Sequence, residues 1–444
     1  MKVSSFPCDP GASGWNAILP KQSRYTELAE SLSCDWLVIG AGFAGLAAAR
    51  RLQQICPGDR IVILEATQVS QGPAGRNSGF MIDLPHDLSS KNYINNADSD
   101  VEQIKLNRGA IEFSRQMVEE FGLDDEAFIL SGKTNAAATQ KGAQHNNDYA
   151  DYLVALGEPH ELLDAKAMKE LTGSDYYMSG LYTPGTAMLQ PAKFIQGVAK
   201  VLSDLGVELF ENSPVIELER RGAGWTATTP KGKVTTPKVI LAVNGHAESF
   251  GFYKRQLLHV FLYASMTRRL EATEVQHLGG AQAWGLTPSD PFGSTVRRIS
   301  GTGGDRIIIR NRVTYDPSLQ VNHSRPQDFA GFHDKTFANR FPALKNIKME
   351  YRWGGRLCLS WNNVPAFGEV DNNVYSACCQ NGLGLTQGTL SGMMAADLAT
   401  GNKSKFLEIM ENQKQPTILP PKPLSWIGVN ARLRWGEFKA GKEL

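Results

Sequence analysis

The chain has 444 residues, a formal net charge of +1, 42% hydrophobic and 20% charged residues. Its length exceeds what a single hydrophobic core usually supports, so two domains are expected. The near-zero charge sets up no global field for nucleic acid or an anionic membrane, and no run approaches the ~20 apolar residues of a spanning helix.

Pro7, Asp9 and Gly11 interrupt the first residues, which leaves no hydrophobic signal core and makes a cytoplasmic address the expectation. Residues 1–30 read as an irregular extension carrying Trp15 and Tyr25. The apolar run 36–39 predicts a buried strand. A G-x-G-x-x-G turn follows at Gly40, Gly42 and Gly45, then a helix to about Gln54 and a second strand at 61–64. Glu65 closes that strand 20 residues beyond Gly45. In such a unit Gly40 permits the tight turn, Gly42 lets backbone approach a pyrophosphate, and Gly45 lets helix and strand pack closely. The helix N-terminus turns its free N–H groups and positive dipole end to the phosphates. Glu65 is placed to accept from the adenosine ribose hydroxyls and to repel a 2′-phosphate. A nucleotide cofactor follows.

A Gly-rich connection occupies 71–79, and Leu106, Ala110, Phe113, Met117 and Phe121 recur at helical spacing within 101–121. Residues 161–172 predict a second short helix, and 194–205 a third that stops at Gly206. Strands are expected at 207–210, 215–218 and 225–229, and a buried one within 238–245, as an interrupted doubly wound domain requires. The texture changes over 248–350, with β-like runs at 257–266 and 306–309 and a helix at 329–341, which reads as most of a second, mixed-sheet domain. After Trp353 come Gly-rich turns and a helix from about Thr386, and a Pro-rich tail begins at Gln413. Gly382 and Gly384 let backbone approach a flat ring, and the helix N-terminus stabilises negative charge there. The cysteines at 8, 34, 56, 358, 378 and 379 form neither a C-x-x-C pair nor a metal-like spacing with histidine, so reduced thiols and no metal are expected.

Four blocks carry a family resemblance: 38–45 with Glu65; Gly-Pro-Ala-Gly-Arg-Asn-Ser-Gly at 72–79; 188–194 with 211–215; and Trp-Gly-Gly at 353–355 with 365–368 and Cys-Gln-Asn-Gly-Leu-Gly-Leu-Thr at 379–386. The whole resembles the FAD-dependent D-amino-acid and amine oxidoreductase (DAO) family, that of glycine and sarcosine oxidases and γ-glutamylputrescine oxidase. The resemblance implies an α/β fold: a discontinuous, doubly wound Rossmann-type FAD-binding domain with a mixed-sheet α+β substrate domain. Its expected segments are an extension at 1–30, FAD domain at 31–95, 163–247 and 352–412, substrate domain at 96–162 and 248–351, and a tail at 413–444.

It also implies oxidation of a C–N bond in a small primary or secondary amine or amino acid. Hydride passes to flavin N5, and the imine hydrolyses to an aldehyde or keto acid plus amine or ammonia. The electron acceptor is O2, a quinone or another species. A 2-hydroxyacid dehydrogenase, or a flavoprotein subunit of a multi-chain oxidoreductase, is the alternative. The cofactor residues implied are Gly40, Gly42, Phe43, Ala44 and Gly45 in the first block, with Glu65 and Ala66. In the second they are Gly75, Arg76, Asn77, Ser78, Gly79, Phe80 and Met81. Val215 near the adenine and Ala242, Asn244 and Gly245 at the pyrophosphate follow. Gly354, Asn381, Gly382, Leu383, Gly384, Leu385 and Thr386 close the flavin side.

The pocket departs from the family pattern, because Ile309-Arg310-Asn311-Arg312 stands where relatives often have Gly-Gly-Arg. Arg310 is a candidate to hold a carboxylate or phosphonate as a bidentate pair, or is a solvated strand residue. Tyr263, Tyr315 and Trp353 are candidate pocket walls or core aromatics, and His86 and His259 flank the substrate amine or are structural. Cys358 sits too close to Ser360 for the thioether of some relatives, so noncovalent FAD is expected.

Overall fold

The computed structural model describes residues 1–3, 5–21, 24–85 and 97–444, so His86 lies outside the described residues. The apolar tetrapeptides Trp36–Ile39 and Ile61–Leu64 are buried along their whole length. A parallel strand covered on both faces reads as such an unbroken run. They lie within five parallel strands ordered Glu208–Phe210, Ile61–Leu64, Trp36–Ile39, Lys238–Leu241 and Val374–Cys378, with Ala366–Asp371 antiparallel at the edge. Alternation decides which side chain meets which layer. Val38, Ile63 and Ile240 face the helices Phe43–Ile55, Pro191–Asp204 and Thr386–Thr400. Leu37, Ile39, Val62 and Leu241 face the other way, onto a four-stranded sheet that supplies Leu218, Trp225 and Val234. The Rossmann-type layer is therefore helical on one face and covered by a small sheet on the other.

A second, eight-stranded sheet runs Met349–Ser360, Leu257–Thr267, Arg306–Tyr315, Thr295–Ile299, Trp284–Pro288, Lys133–Ala137, Ser179–Thr183 and Glu161–Asp164. Its pairings are antiparallel except the parallel contact of Trp284–Pro288 with Lys133–Ala137, so it is mixed as expected.

Several segments differ from the sequence expectation. The helix Ala97–Phe121 starts earlier than expected and packs Leu106, Phe113 and Met117 into the core of the parallel sheet's helices, although 96–162 is expected in the other domain. Ser179–Thr183 and all of Met349–Ser360 pair in the eight-stranded sheet, across the boundaries expected at 163 and 352. The stretch 161–172 divides: Glu161–Asp164 is an edge strand, and Asp164 then caps the helix Ala165–Thr172 by accepting from the Ala167 N–H at 2.8 Å. The Pro-rich tail contains a 19-residue helix, Lys422–Ala440.

Candidate functional site

One cavity of about 1540 Å³ extends from the C-terminal ends of the parallel strands to the face of the eight-stranded sheet. Its floor is the glycine turn. A Cβ on Gly40, whose φ is +104°, would sit 2.6 Å from the Ala242 carbonyl oxygen, and one on Gly45 would fall 1.8 Å from the Gly40 carbonyl oxygen. On Gly42 the nearest atom would be the Ala74 Cβ at 3.6 Å, an ordinary contact, so a Cβ is tolerated there. Glu65 stands at the strand end beside the turn: one carboxylate oxygen accepts from the Ala41 N–H at 3.0 Å, the other from the Thr67 N–H at 2.9 Å. Phe43, Ala44, Ala66, Val215, Ala242, Asn244 and Gly245 line the same stretch of wall. Asn244 adopts φ +52° and leaves its buried Oδ1 without a partner.

The 73–79 loop forms the next wall, with Arg76, Asn77, Ser78, Gly79 and Phe80 at its surface. Arg76 is itself a crosslink. Its Nε donates to the Gln71 carbonyl at 2.6 Å, and its Nη1 donates to the carbonyls of Gly11 at 2.9 Å and Gly354 at 3.2 Å. Behind Gly79 lies Arg297, which sequence reading missed. It is buried and donates to the carbonyls of Ser78 at 2.9 Å and Leu189 at 2.7 Å. Its guanidinium lies 5.2 Å from the Trp15 ring and 5.6 Å from the Phe80 ring, and burial pulls its pKa down to about 9. No spacing or motif marks this residue; only the fold brings aromatic rings and carbonyls to an isolated strand arginine.

The far wall belongs to the strand Leu257–Thr267. Leu258, Val260, Leu262 and Ala264 point into the cavity, and the intervening residues point away. Two expected pocket residues thus fall on the wrong face. His259 lies behind Gly245 and holds its Nε2 2.5 Å from a Glu248 carboxylate oxygen. Tyr263 is fully buried, its hydroxyl 2.8 Å from the Thr314 hydroxyl and its ring 4.4 Å from the Phe329 ring. Trp353 also lies outside the cavity, donating its indole N–H to the Arg76 carbonyl at 3.0 Å, and Tyr315 packs beneath the C-terminal helix.

Arg310 does reach the cavity, where its Nη2 donates to the Thr295 hydroxyl at 2.6 Å. Asn311, the next residue, pairs with Tyr263 and turns its side chain to the opposite face of the sheet, where Nδ2 donates to the Ser294 hydroxyl at 2.9 Å and the Thr336 hydroxyl at 3.2 Å. His246, another residue the sequence did not flag, lines the wall with Nε2 at 2.7 Å from the Ser5 carbonyl. Burial lowers its pKa to about 4 and keeps the ring neutral.

The loop 379–385 closes the cavity. Asn381, Leu383 and Leu385 line it, Gly382 adopts φ +87°, and Gly384 faces open space. The Asn381 Oδ1 accepts from the Ser360 N–H at 2.8 Å and fixes the loop to the eight-stranded sheet. The helix Thr386–Thr400 lies against Phe43–Ile55 through glycines: a Cβ on Gly392 would fall 2.0 Å from the Ala44 carbonyl oxygen. Two helix N-termini therefore open on one cavity. Gly45, Gly75, Met81, Gly354 and Thr386, named as cofactor residues from sequence, lie behind the wall.

Residues 35–398 match the family described as FAD dependent oxidoreductase. The chain belongs to this family. It is similar to γ-glutamylputrescine oxidoreductase of Escherichia coli, at 24% identity over 87% of this chain and 88% of that one. The "Probable oxidoreductase OrdL" of Haemophilus influenzae is 24% identical over 89% of each chain. In fold it is similar to the glycine oxidase of Geobacillus kaustophilus, with a TM-score of 0.69 at 16% identity over 87% of this chain and 98% of that one.

FAD is the cofactor of this family, and the cavity suits an extended dinucleotide. Gly384 leaves its Cβ position open, a Cβ on Gly42 would touch only the Ala74 methyl, and the Asn244 Oδ1 on the same cavity wall lacks a partner. Cys358 also lines the cavity, and burial raises its thiol well above the ordinary range. All six cysteines are free. Among the described residues no group of histidine, cysteine, aspartate or glutamate could hold a metal, and no helix is long and apolar enough to cross a membrane.

Proposed function

We propose that this chain oxidises the C–N bond of a small primary or secondary amine or amino acid, with FAD held noncovalently. The observation that carries the reading is the far wall: aliphatic side chains of one strand, with Arg310 of the neighbouring strand as the polar group beside them. Bound FAD supplies a two-electron oxidant that accepts a hydride. The residues proposed to hold it are Gly42 and the following helix N-terminus at the pyrophosphate and Glu65 at the ribose hydroxyls. Val215 would border the adenine, Asn77–Phe80 the ring edge, and the N-terminal end of the helix Thr386–Thr400 would stabilise negative charge on the ring. The high-pKa Cys358 thiol is a poor nucleophile, which supports noncovalent binding.

The chain's own contribution to the reaction is environment and position. Leu258, Val260 and Leu262 desolvate the substrate nitrogen, which disfavours its ammonium form and makes the lone pair available without a dedicated base. Arg310 pairs with a substrate carboxylate through its fork. Water then hydrolyses the imine to an aldehyde or keto acid and an amine or ammonia.

An anaerobic absorbance spectrum, taken before and after addition of amines, amino acids and 2-hydroxyacids in turn, tests the reading. Bleaching of the flavin bands by amines supports it. Bleaching by hydroxyacids alone transfers the activity to C–O oxidation, and bands that no small molecule bleaches assign the chain to a multi-chain enzyme.

A further inference from the structure

The strands Trp284–Pro288 and Thr295–Ile299 are antiparallel neighbours, and the turn 289–294 that joins them stands at the cavity beside Arg310. Thr295, directly after the turn, pairs with Arg310 across the sheet and accepts from its Nη2 at 2.6 Å. Hydrogen bonds fix the backbone of the turn. The Asp290 carboxylate accepts from the Phe292 N–H at 3.0 Å, and the Asp290 carbonyl accepts from the Gly293 N–H at 2.8 Å. The Ser294 N–H donates to the Glu443 carbonyl at 2.7 Å. Glu443 is buried and anchored in turn, its carboxylate accepting from the Ala138 N–H at 3.0 Å and the Thr139 hydroxyl at 2.7 Å.

Phe292 carries the only aromatic ring of this turn, and it lines the cavity. Its ring edge rests on Gly436 of the helix Lys422–Ala440. A Cβ on Gly436 would fall 2.4 Å from the Phe292 Cε2 and 2.5 Å from its Cδ2. With the backbone of the turn tied and the helix behind it, the ring has the cavity in front of it.

The surroundings select the chemistry of what the ring meets. Leu262 and its cross-strand partner Val313 line the cavity beyond Arg310, and Leu433 and Trp435 line it from the helix. Among the described residues the carboxylates lining the cavity are Asp9, Glu65 and Glu437, and each is engaged. Arg356 donates to both Asp9 oxygens at 2.8 and 2.9 Å. Glu65 accepts from the Ala41 and Thr67 N–H groups, and Glu437 from Arg312 and the Val313 N–H. A cationic side chain entering here gives up hydration and meets no unengaged carboxylate, whereas an apolar one gains from burial.

We propose that Phe292 sets the side-chain specificity of the enzyme: its ring receives an apolar side chain of the substrate, and Gly436 sets how far the ring reaches into the cavity. This specificity rests on the amine- or amino-acid-oxidising activity proposed above. The two positions then act in opposite directions. Removing the ring opens the subsite, and a methyl group on Gly436 pushes the ring into it, because the backbone of the turn is held.

Anaerobic stopped-flow reduction of the bound flavin tests this, with amino acids and primary amines whose side chains grow from methyl to benzyl. Aminoalkyl and carboxyalkyl side chains serve as comparisons. The parent is expected to favour apolar side chains over charged ones. Phe292→Ala is expected to raise the benzyl-to-methyl ratio of rate over dissociation constant by about tenfold or more, and Phe292→Leu to raise it less. Gly436→Ala is expected to lower the same ratio, with flavin content unchanged in all three variants. Ratios that stay unchanged, or move the same way, in Phe292→Leu and Gly436→Ala overturn the proposal. So does a parent that is faster with charged side chains, and both results leave the activity itself in place. A flavin that no amine or amino acid reduces overturns that activity, and the specificity with it.

Discussion

The Arg312 guanidinium donates to the Glu437 carboxylate across 3.0 Å, and the same carboxylate accepts from the Val313 N–H at 3.2 Å. Arg312 is the extra residue of a bulge, since Leu262 pairs with Val313 and Tyr263 with Asn311. It adopts φ +60°, a conformation that side-chain-bearing residues avoid unless the surroundings hold them there. The bulge turns the arginine out of the ladder toward the C-terminal helix, where its guanidinium also lies 3.9 Å from the Phe332 ring. A sheet beside the cavity and the helix at its mouth are thereby joined through one buried ion pair.

Removing one partner of such a pair leaves the other charge buried and uncompensated. Glu437→Ala is accordingly expected to lower stability by about 3 kcal/mol and to loosen the Lys422–Ala440 helix. Limited proteolysis and thermal denaturation read the two effects. A variant that melts with the parent and resists cleavage within the helix removes Glu437 from this role.

The glycine turn separates cofactor approach from fold. Gly42→Val is expected to fold and lose FAD, because its Cβ is tolerated while the branched methyls narrow the cavity that Gly42 lines. Gly45→Ala is expected to cost about 3 kcal/mol of stability, because its Cβ falls 1.8 Å from a backbone oxygen. Flavin-to-protein absorbance ratios and denaturation midpoints distinguish the variants. Stoichiometric flavin on Gly42→Val is incompatible with the proposed pose.

What the sequence showed and what it hid follow from range. The 36–65 unit was legible because strand, turn, helix and acid are consecutive, and each residue's role is set by its neighbours. His259 and Tyr263 were placed in the pocket because they are pocket-like residue types on the right strand. The alternation of that strand hands the wall to Leu258, Val260, Leu262 and Ala264 instead. A period of two turns an error of one residue into the opposite face. The C-terminal helix was hidden by Pro416, Pro420, Pro421 and Pro423, which read as a continuous tail. Pro423 in fact lies in the first turn, where a missing N–H costs nothing, and Gly441 follows the helix end. Arg297 had no local signal, because the rings and carbonyls that hold it come from residues 15, 78, 80 and 189.

Lys133 gives the protein a pH dependence of unusual sign. It is fully buried beside Asn135 and the Thr287 hydroxyl, and burial lowers its pKa from 10.5 to about 8. Between those values the folded chain binds fewer protons at this site than the unfolded chain. The site therefore adds stability as pH rises from about 8 toward 10.5, and it opposes folding below that window. Lys133→Met is expected to be more stable than the parent at pH 7 by about 2–3 kcal/mol, an advantage that shrinks toward pH 10. The Thr287 hydroxyl still donates to the Asn135 Oδ1 at 2.6 Å in that variant, so no polar pair is orphaned. Denaturant unfolding of both proteins across pH checks the sign, and an advantage that grows with pH contradicts it.

Arg310 tests the proposed substrate class most directly, because it reaches the cavity from the strand whose neighbour supplies the aliphatic wall. Arg310→Met keeps the stem's apolar bulk and removes the fork, and the Thr295 hydroxyl it leaves is a neutral group that water can serve. If the fork holds a carboxylate, kcat/KM for amino acids should fall about 10- to 100-fold, the worth of one charge-assisted pair. Amines without a carboxylate should be unaffected, and flavin content should not change. Arg310→Lys restores the charge without the fork and should recover only part of the loss. Equal losses for amino acids and simple amines would instead mean that Arg310 supports the cavity wall, and the carboxylate would have to be sought elsewhere.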